Sequence, residues 1–322
     1  MKIYRAFRSR HPICAALIGF LLGPSLVMFY LGRWKPAMWY CVPAVALFGV
    51  EKWAEISFPG LNAVYIVVLL ALAAFNLLGA VHGYQIARSL PVAHTFPWYA
   101  RWYNIVLVSF IAPLALALLA RSLLFQPFNI VSSAMFPTLR EGDYVMTSKF
   151  AYGYGKYSFL FHSGPASKFF GRTPERGDIV VLAFPPNPEI DYVERVIGLP
   201  GDRVQMKDGI LHLNGKPVPR YEIKTLPNGP DFPITIYRET LPNGLDHFIA
   251  ENGDLLRSDN TAEFVVPVGH YFVMGDNRDN SADSRYDVGF VPEENIYAKV
   301  VAVFFNKHSG FDRFGTVGGA FE

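Results

Sequence analysis

The sequence predicts a membrane-anchored protein of two parts, with N-terminal α-helical transmembrane segments followed by a mostly-β domain. Two observations carry this reading. Of 322 residues, 51% are hydrophobic and only 17% charged, against about 25% charged in an ordinary soluble domain. The apolar excess lies before Gln126, and beyond it short apolar runs alternate with Gly, Pro, Asn and Asp. The expected division is 1–125 for the anchor and 126–322 for the β-rich domain.

The chain opens with Lys2, Arg5, Arg8 and Arg10 ahead of an apolar run, as a secretory signal does. No small-x-small cleavage site with polar sequence behind it follows, so the segment is expected to be retained. His11–Gly32 is long enough to cross a bilayer, but Gly19 and Gly23-Pro24 predict a break within it. Ala37–Val50 is apolar but short for a crossing. Leu61–Val81 carries no charge and meets the requirement of about 20 apolar residues. Tyr103–Ala120 is the second clear span, its Pro113 tolerable where neighbours satisfy the freed carbonyl. The count is three spans plus a re-entrant hairpin, or four spans.

Charge favours three. With 1–36 cytoplasmic, Arg33, Lys35, Arg88 and Arg101 all lie inside, while Glu51–Gly60 and the β-rich domain lie outside. Four spans would put the basic N-terminus outside. Neither clear span carries a charged residue, so no transport path is visible.

In the second half, Asp178–Phe184, Gly209–Asn214, His270–Met274 and Lys299–Asn306 are strand candidates rich in Val, Ile, Phe and Tyr. Asn214-Gly215 and Asn228-Gly229 are turn signals. Residues 221–261 are polar, Pro-rich and weakly patterned, and read as an insertion of loops and hairpins.

A net charge of +2 gives no reason to expect nucleic acid as a partner. The two cysteines, Cys14 and Cys41, lie in apolar segments, so the polar half has no disulfide framework or thiolate metal site. Asp276–Asp287 superficially has the acidic spacing of a calcium loop. It puts Arg278 at a ligand position, Ser281 where Gly is required and Asp287 where Glu belongs. His162, His212, His247 and His270 show no metal-ligand spacing and are expected to be surface or satisfied histidines. Phosphate-loop, nucleophile-elbow and dinucleotide fingerprints are missing. No metal and no cofactor is expected. Phe304 and Phe305 fit either a bilayer-facing surface or plain core packing.

Three blocks carry a family resemblance: Phe128–Gly153 (FNIVSSAMFPTLREGDYVMTSKFAYG), Arg176–Val204 (RGDIVVLAFPPNPEIDYVERVIGLPGDRV) and Gly275–Pro292 (GDNRDNSADSRYDVGFVP). In this order, after apolar segments, they are similar to the type I signal peptidases of Gram-negative bacteria, over about Leu124 to Asn306. The resemblance implies a signal-peptidase-type β-domain on the periplasmic face of the inner membrane, anchored in the lipid bilayer. It implies signal peptides of exported preproteins as partners, bound as an extended strand by backbone hydrogen bonds; a non-catalytic member would have an active signal peptidase or secretion machinery as a further partner. The family cleaves with a serine nucleophile and a neutral lysine base, without metal or cofactor. Burial lowers a lysine pKa far enough for it to take the serine proton, and an oxyanion hole holds the tetrahedral intermediate.

The chain departs from that pattern at both reacting positions. The nucleophile motif reads Val131, Ser132, Ser133, Ala134, Met135, Phe136, Pro137, Thr138, Leu139, so the nucleophile position falls on Ala134. The base motif reads Asp191, Tyr192, Val193, Glu194, Arg195, so the lysine position is Glu194. The supporting residues match: Ser132 on the oxyanion side, Ser281 at the base-orienting position, and Arg195, Asp276, Asp283 and Arg285 as structural ion-pairing residues. Read as an extended strand, Ser133 points away from the face of Ala134, and Ser132 sits about 6.5 Å along it.

An inactive, signal-peptide-binding or regulatory member of the family is the expected function. Val131, Ala134 and Glu194 together resemble a natural inactive paralogue more than a laboratory substitution. The alternatives are an active peptidase with a non-standard nucleophile, and a membrane protein whose β-domain is only structural.

Overall fold

The computed structural model describes residues 11–57, 62–91, 96–101, 103–104, 107–159, 163–227, 233–252 and 259–317. Lys2, Arg5, Arg8 and Arg10, His162, the Asn228-Gly229 turn and part of the Glu51–Gly60 loop lie outside them. The chain divides into two compact units, 1–118 and 119–322.

The first unit is helical. The expected break is present: α1 (Pro12–Leu22) and α2 (Pro24–Tyr30) meet at Gly23, whose φ of 90° suits glycine and the proline behind it. α3 (Trp34–Ser57) is longer than the Ala37–Val50 run, because Pro43 is carried inside the helix instead of ending it. α4 (Asn62–Ser89) runs beyond Val81. Its portion Ile66–Ser89 is, among the described residues, the one helix long and apolar enough to cross a membrane by length and composition.

Small residues let these helices approach closely. A side chain on Gly19 would meet the Gly79 backbone at 2.7 Å, and one on Gly79 would meet Pro24 at the same distance. Ala15, Val27, Met28 and Leu31 are buried around this contact. Tyr40 Oη lies 2.7 Å from His82 Nδ1.

The Tyr103–Ala120 stretch is interrupted within its described part. A π-helical turn, Leu107–Ile111, precedes α5 (Ala112–Leu123). α5 continues directly from this turn, and Pro113 lies just after it, where the π-helical turn locally interrupts the regular α-helical ladder.

The second unit is β. An eight-stranded antiparallel sheet runs in the order β1 (Phe125–Asn129), β2 (Asp143–Ser148), β14 (Ile296–Asn306), β3 (Ile179–Ala183), β4 (Asp191–Gly198), β12 (His270–Met274), β13 (Val291–Pro292), with β15 (Gly315–Thr316) also on β14. A four-stranded sheet has the order β11 (Phe264–Val265), β5 (Arg203–Lys207), β6 (Ile210–Leu213), β7 (Lys216–Pro217). The Asn214-Gly215 signal is the β6–β7 turn, both residues having positive φ, as a type I′ hairpin requires. The 221–261 region contributes a third sheet, in the order β10 (Asp246–Glu251), β9 (Ile234–Thr240), β8 (Arg220–Leu226).

β3 is buried at every position, consistent with its continuous apolar run. Its alternate side chains feed two cores, Val181 with Val145 and Leu139, and Val180 and Leu182 with Val196 and Tyr271. Phe304 and Phe305 are half-buried, and both pack their rings on Tyr144.

Candidate functional site

The site is built from the loop after β1, the middle of β4 and the segment that follows β12. After β1 the chain turns through 131–139 as tight bends. Phe136 N donates to Ser133 O at 3.0 Å and Leu139 N to Met135 O at 2.8 Å. Buried Met135 and Leu139 anchor the loop in the core below it. The extended-strand expectation for Ser132–Ala134 is therefore wrong. Two successive turns replace the strand, so neither face alternation nor the 6.5 Å spacing applies.

Residues of the third motif clamp this loop. Asn277 N donates to Ala134 O at 2.9 Å and Asn277 Nδ2 to Ser133 O at 3.0 Å. Asn280 Nδ2 donates to Ser133 Oγ at 2.8 Å. Gly275 sits where the pieces converge. A Cβ there would lie 2.4 Å from Ser281 Oγ and 2.5 Å from Ala134 O. Glycine is needed for that close approach.

Glu194 stands mid-strand in β4, opposite Val180 of β3. It is 2% exposed. The Ser281 hydroxyl lies 3.2 Å from Oε1 and 3.4 Å from Oε2. Burial holds the Glu194 carboxyl well above the usual carboxylate range, and the nearby Asp283 and Asp276 push it further. The Ser281 hydrogen bond and Arg285 act in the opposite direction.

The neighbouring ion pairs are complete. Arg195 Nε donates to Asp276 Oδ1 at 2.7 Å and Nη2 to Oδ2 at 2.6 Å, while Nη1 reaches Gly177 O at 2.8 Å. Asp276 also accepts from Thr138 Oγ1, which ties the loop to β4. Arg285 pairs with Asp283 through Nε at 2.9 Å and Nη2 at 2.7 Å, and Asp283 Oδ2 accepts from Gly275 N at 3.1 Å. Thus Ala134, Glu194, Arg195, Ser281, Asp276, Asp283 and Arg285 share one connected cluster. Ser132 is exposed at its edge.

Sequence reasoning missed part of this shell. Asn277, Asn280 and Gly275 lie in the recognised third motif, but their grip on the loop is visible only in three dimensions. Arg278, 2% exposed, pairs with Glu239 of the third sheet, and Ala250 N donates to Asp276 O at 2.8 Å. His247 corrects the expectation of surface or satisfied histidines. It is buried, its ring nitrogens make no hydrogen bond of ordinary geometry, and Nε2 lies 3.9 Å from both Glu239 and Asp276. Burial and the cations Arg195 and Arg278 hold its pKa well below the ordinary value, against a weak backbone contact with Glu239.

Two lysines, buried Lys149 and half-buried Lys168, have pKa values lowered by desolvation to about 8. Lys149 Nζ donates to Ser158 O at 2.6 Å and lies over the Tyr297 ring. Lys168 Nζ donates to the carbonyls of Glu293 and Ile296. Among the described residues, neither amine is hydrogen-bonded to the Ala134–Glu194 cluster, and no group of His, Cys, Asp and Glu side chains could hold a metal.

Comparison with known proteins gives a consistent set of relatives. Residues 102–305 match the family model described as "Signal peptidase, peptidase S26". The chain is 40% identical over 207 residues to signal peptidase I of Rickettsia conorii (strain ATCC VR-613 / Malish 7), covering 62% of this chain and 78% of the relative. It is also 40% identical over 202 residues to signal peptidase I of Rickettsia akari (strain Hartford), covering 60% and 76%. Among solved structures it is similar to a signal peptidase I from Enterococcus faecalis V583, at 29% identity with a TM-score of 0.25, over 40% of this chain and 97% of that one.

Proposed function

The chain belongs to the signal peptidase (peptidase S26) family, and from that membership we propose that it binds the signal peptides of exported preproteins without cleaving them. One observation carries the reading. At the positions the family motifs give to nucleophile and base stand the methyl of Ala134 and the buried carboxyl of Glu194. A methyl can neither attack a carbonyl nor carry an acyl group. A carboxyl with a raised pKa could accept a proton, but it has no serine beside it to activate.

What survives supports binding. The loop at Ala134 is held by Asn277, Asn280 and Thr138, and Arg195–Asp276 and Asp283–Arg285 brace the floor beneath it. An extended peptide laid against this floor is recognised through its backbone.

The reading includes a place in the cell. The N-terminal helices anchor the chain in the bacterial inner membrane with the β-domain in the periplasm. Three spans plus a re-entrant hairpin at the Gly23 break satisfy the positive-inside rule. The apolar Ile66–Ser89 helix and the Pro12–Leu22 and Pro24–Tyr30 pair support that arrangement.

The test uses purified full-length chain in detergent and a fluorescent signal peptide. Saturable binding that weakens when the small residues before the cleavage site are made bulky is the expected result. Ala134→Ser alone should stay inactive for want of a base, whereas Ala134→Ser with Glu194→Lys should regain cleavage because the surrounding shell is retained. Binding that ignores the small residues would refute the proposal.

A further inference from the structure

Ser281 has two neighbours of different kinds. On one side is the Glu194 carboxyl; on the other is an open groove of about 590 Å³, lined by Ser281 with Asp279, Asn280, Arg285, Tyr286 and Asp287. Gly275 brings the Ser281 hydroxyl and the Ala134 carbonyl to the same spot. We propose that Ser281 is a binding residue for a backbone carbonyl of the peptide, and that the proton on Glu194 decides whether its O–H is free to donate. This rests on the signal-peptide-binding reading and adds a switch to it.

A serine hydroxyl has one proton and two acceptor positions. When Glu194 is ionised, Ser281 donates that proton to the carboxylate, at the 3.2 and 3.4 Å separations present. The groove then meets only an oxygen lone pair, which repels a peptide carbonyl. When Glu194 is neutral, its own O–H donates to Ser281 Oγ across the same separation. The Ser281 proton then turns toward the groove and meets a carbonyl as a donor. No heavy atom moves between the two states.

The charged groups around Glu194 make the neutral state accessible. Asp283 and Asp276 face it from the third motif and oppose a further negative charge; Arg285, from the same motif, favours one. Arg195, next along β4, is committed to Asp276 through both its Nε and Nη2. Behind Asp276 lie His247, held neutral by burial and the nearby arginines, and the Arg278–Glu239 ion pair. Arg195 and Arg285 are thus both taken by other carboxylates, and burial holds the Glu194 carboxyl above the ordinary range. The sign follows: donor capacity is present at low pH and is lost as pH rises through the raised carboxyl pKa.

The test measures the affinity of the full chain for a fluorescent signal peptide from about pH 5 to about pH 9. One hydrogen bond gained or lost predicts about a tenfold weakening across the titration. Glu194→Gln carries a permanent amide donor toward Ser281, so its affinity should stay at the low-pH level throughout. Ser281→Ala should bind about tenfold more weakly at low pH and show no pH dependence. Infrared difference spectra across the pH titration supply a readout independent of peptide: a protonated-carboxyl component that Glu194→Gln removes and Ser281→Ala shifts, beside the separate component of Glu251. Binding that is independent of pH, or a wild-type pH profile in Glu194→Gln, overturns the switch while leaving peptide binding intact. Spectra unchanged by Glu194→Gln overturn it by themselves. Absence of peptide binding in every form overturns this proposal and its parent together.

Discussion

Glu194 and Arg195 are neighbours on one strand, buried to nearly the same degree, and their surroundings differ in kind. Arg195 has a bidentate carboxylate partner in Asp276 and a carbonyl on its third nitrogen. Glu194 has one serine hydroxyl and two like charges close by. One is a fully satisfied ion pair that braces the fold, and the other is an acid pushed toward its neutral form. Burial alone does not decide the charge state of a group. The partners it is given do.

The largest expected effect breaks the braced side. Arg195→Met strands Asp276 without its cation and should cost about 3–5 kcal/mol, read from the urea midpoint. Gly275→Ala should cost about 1–3 kcal/mol. Its methyl would meet the Ala134 carbonyl, which is backbone and cannot swing away, and the Ser281–Glu194 contact should be disturbed with it.

The Glu194 side sharpens the comparison through pH. In the unfolded chain this carboxyl ionises near the ordinary pKa of about 4.3; in the fold it stays protonated to higher pH. The unfolded state then binds fewer protons, so stability falls as pH rises from that ordinary value until the raised folded value is passed. Glu251, pushed up to about 7 by burial, adds a slope of the same sign. Glu194→Gln should flatten the fall, so that the variant gains on wild type as pH rises. An unchanged slope would show that Glu194 is ionised in the fold. The smallest effect lies at the surface. Arg203 pairs with Glu263 in the open, with side chains 61% and 39% exposed, and Arg203→Ala should change stability by no more than about 0.5 kcal/mol.

Much of the β-domain was legible because β-strands announce themselves by short apolar runs between turn residues. Asp178–Phe184 became β3, and Asn214-Gly215 became a hairpin. For Arg195, Asp276, Asp283, Arg285 and Ser281 the family resemblance implied ion-pairing and base-orienting roles, but which residue partners which is visible only in three dimensions. The 131–139 loop was not legible. Its short polar and small residues fit a strand as well as a bend, and only the contacts from Asn277, Asn280 and Thr138 select the bend. The Arg278–Glu239 pair and the placement of His247 were equally hidden, since they join segments far apart in sequence whose polar pattern gives no sign of burial. In the helical unit, Pro43 inside α3 and the π-helical turn before Pro113 are local backbone choices that hydropathy does not encode.

The most direct measurement incubates the unmodified, purified chain with a radiolabelled preprotein and follows the shorter mature product on a gel. No mature band above the buffer control is predicted at any enzyme concentration. A band that grows with time and vanishes on substituting Ser132 or Ser133 would mean that a hydroxyl in the bent loop attacks after all.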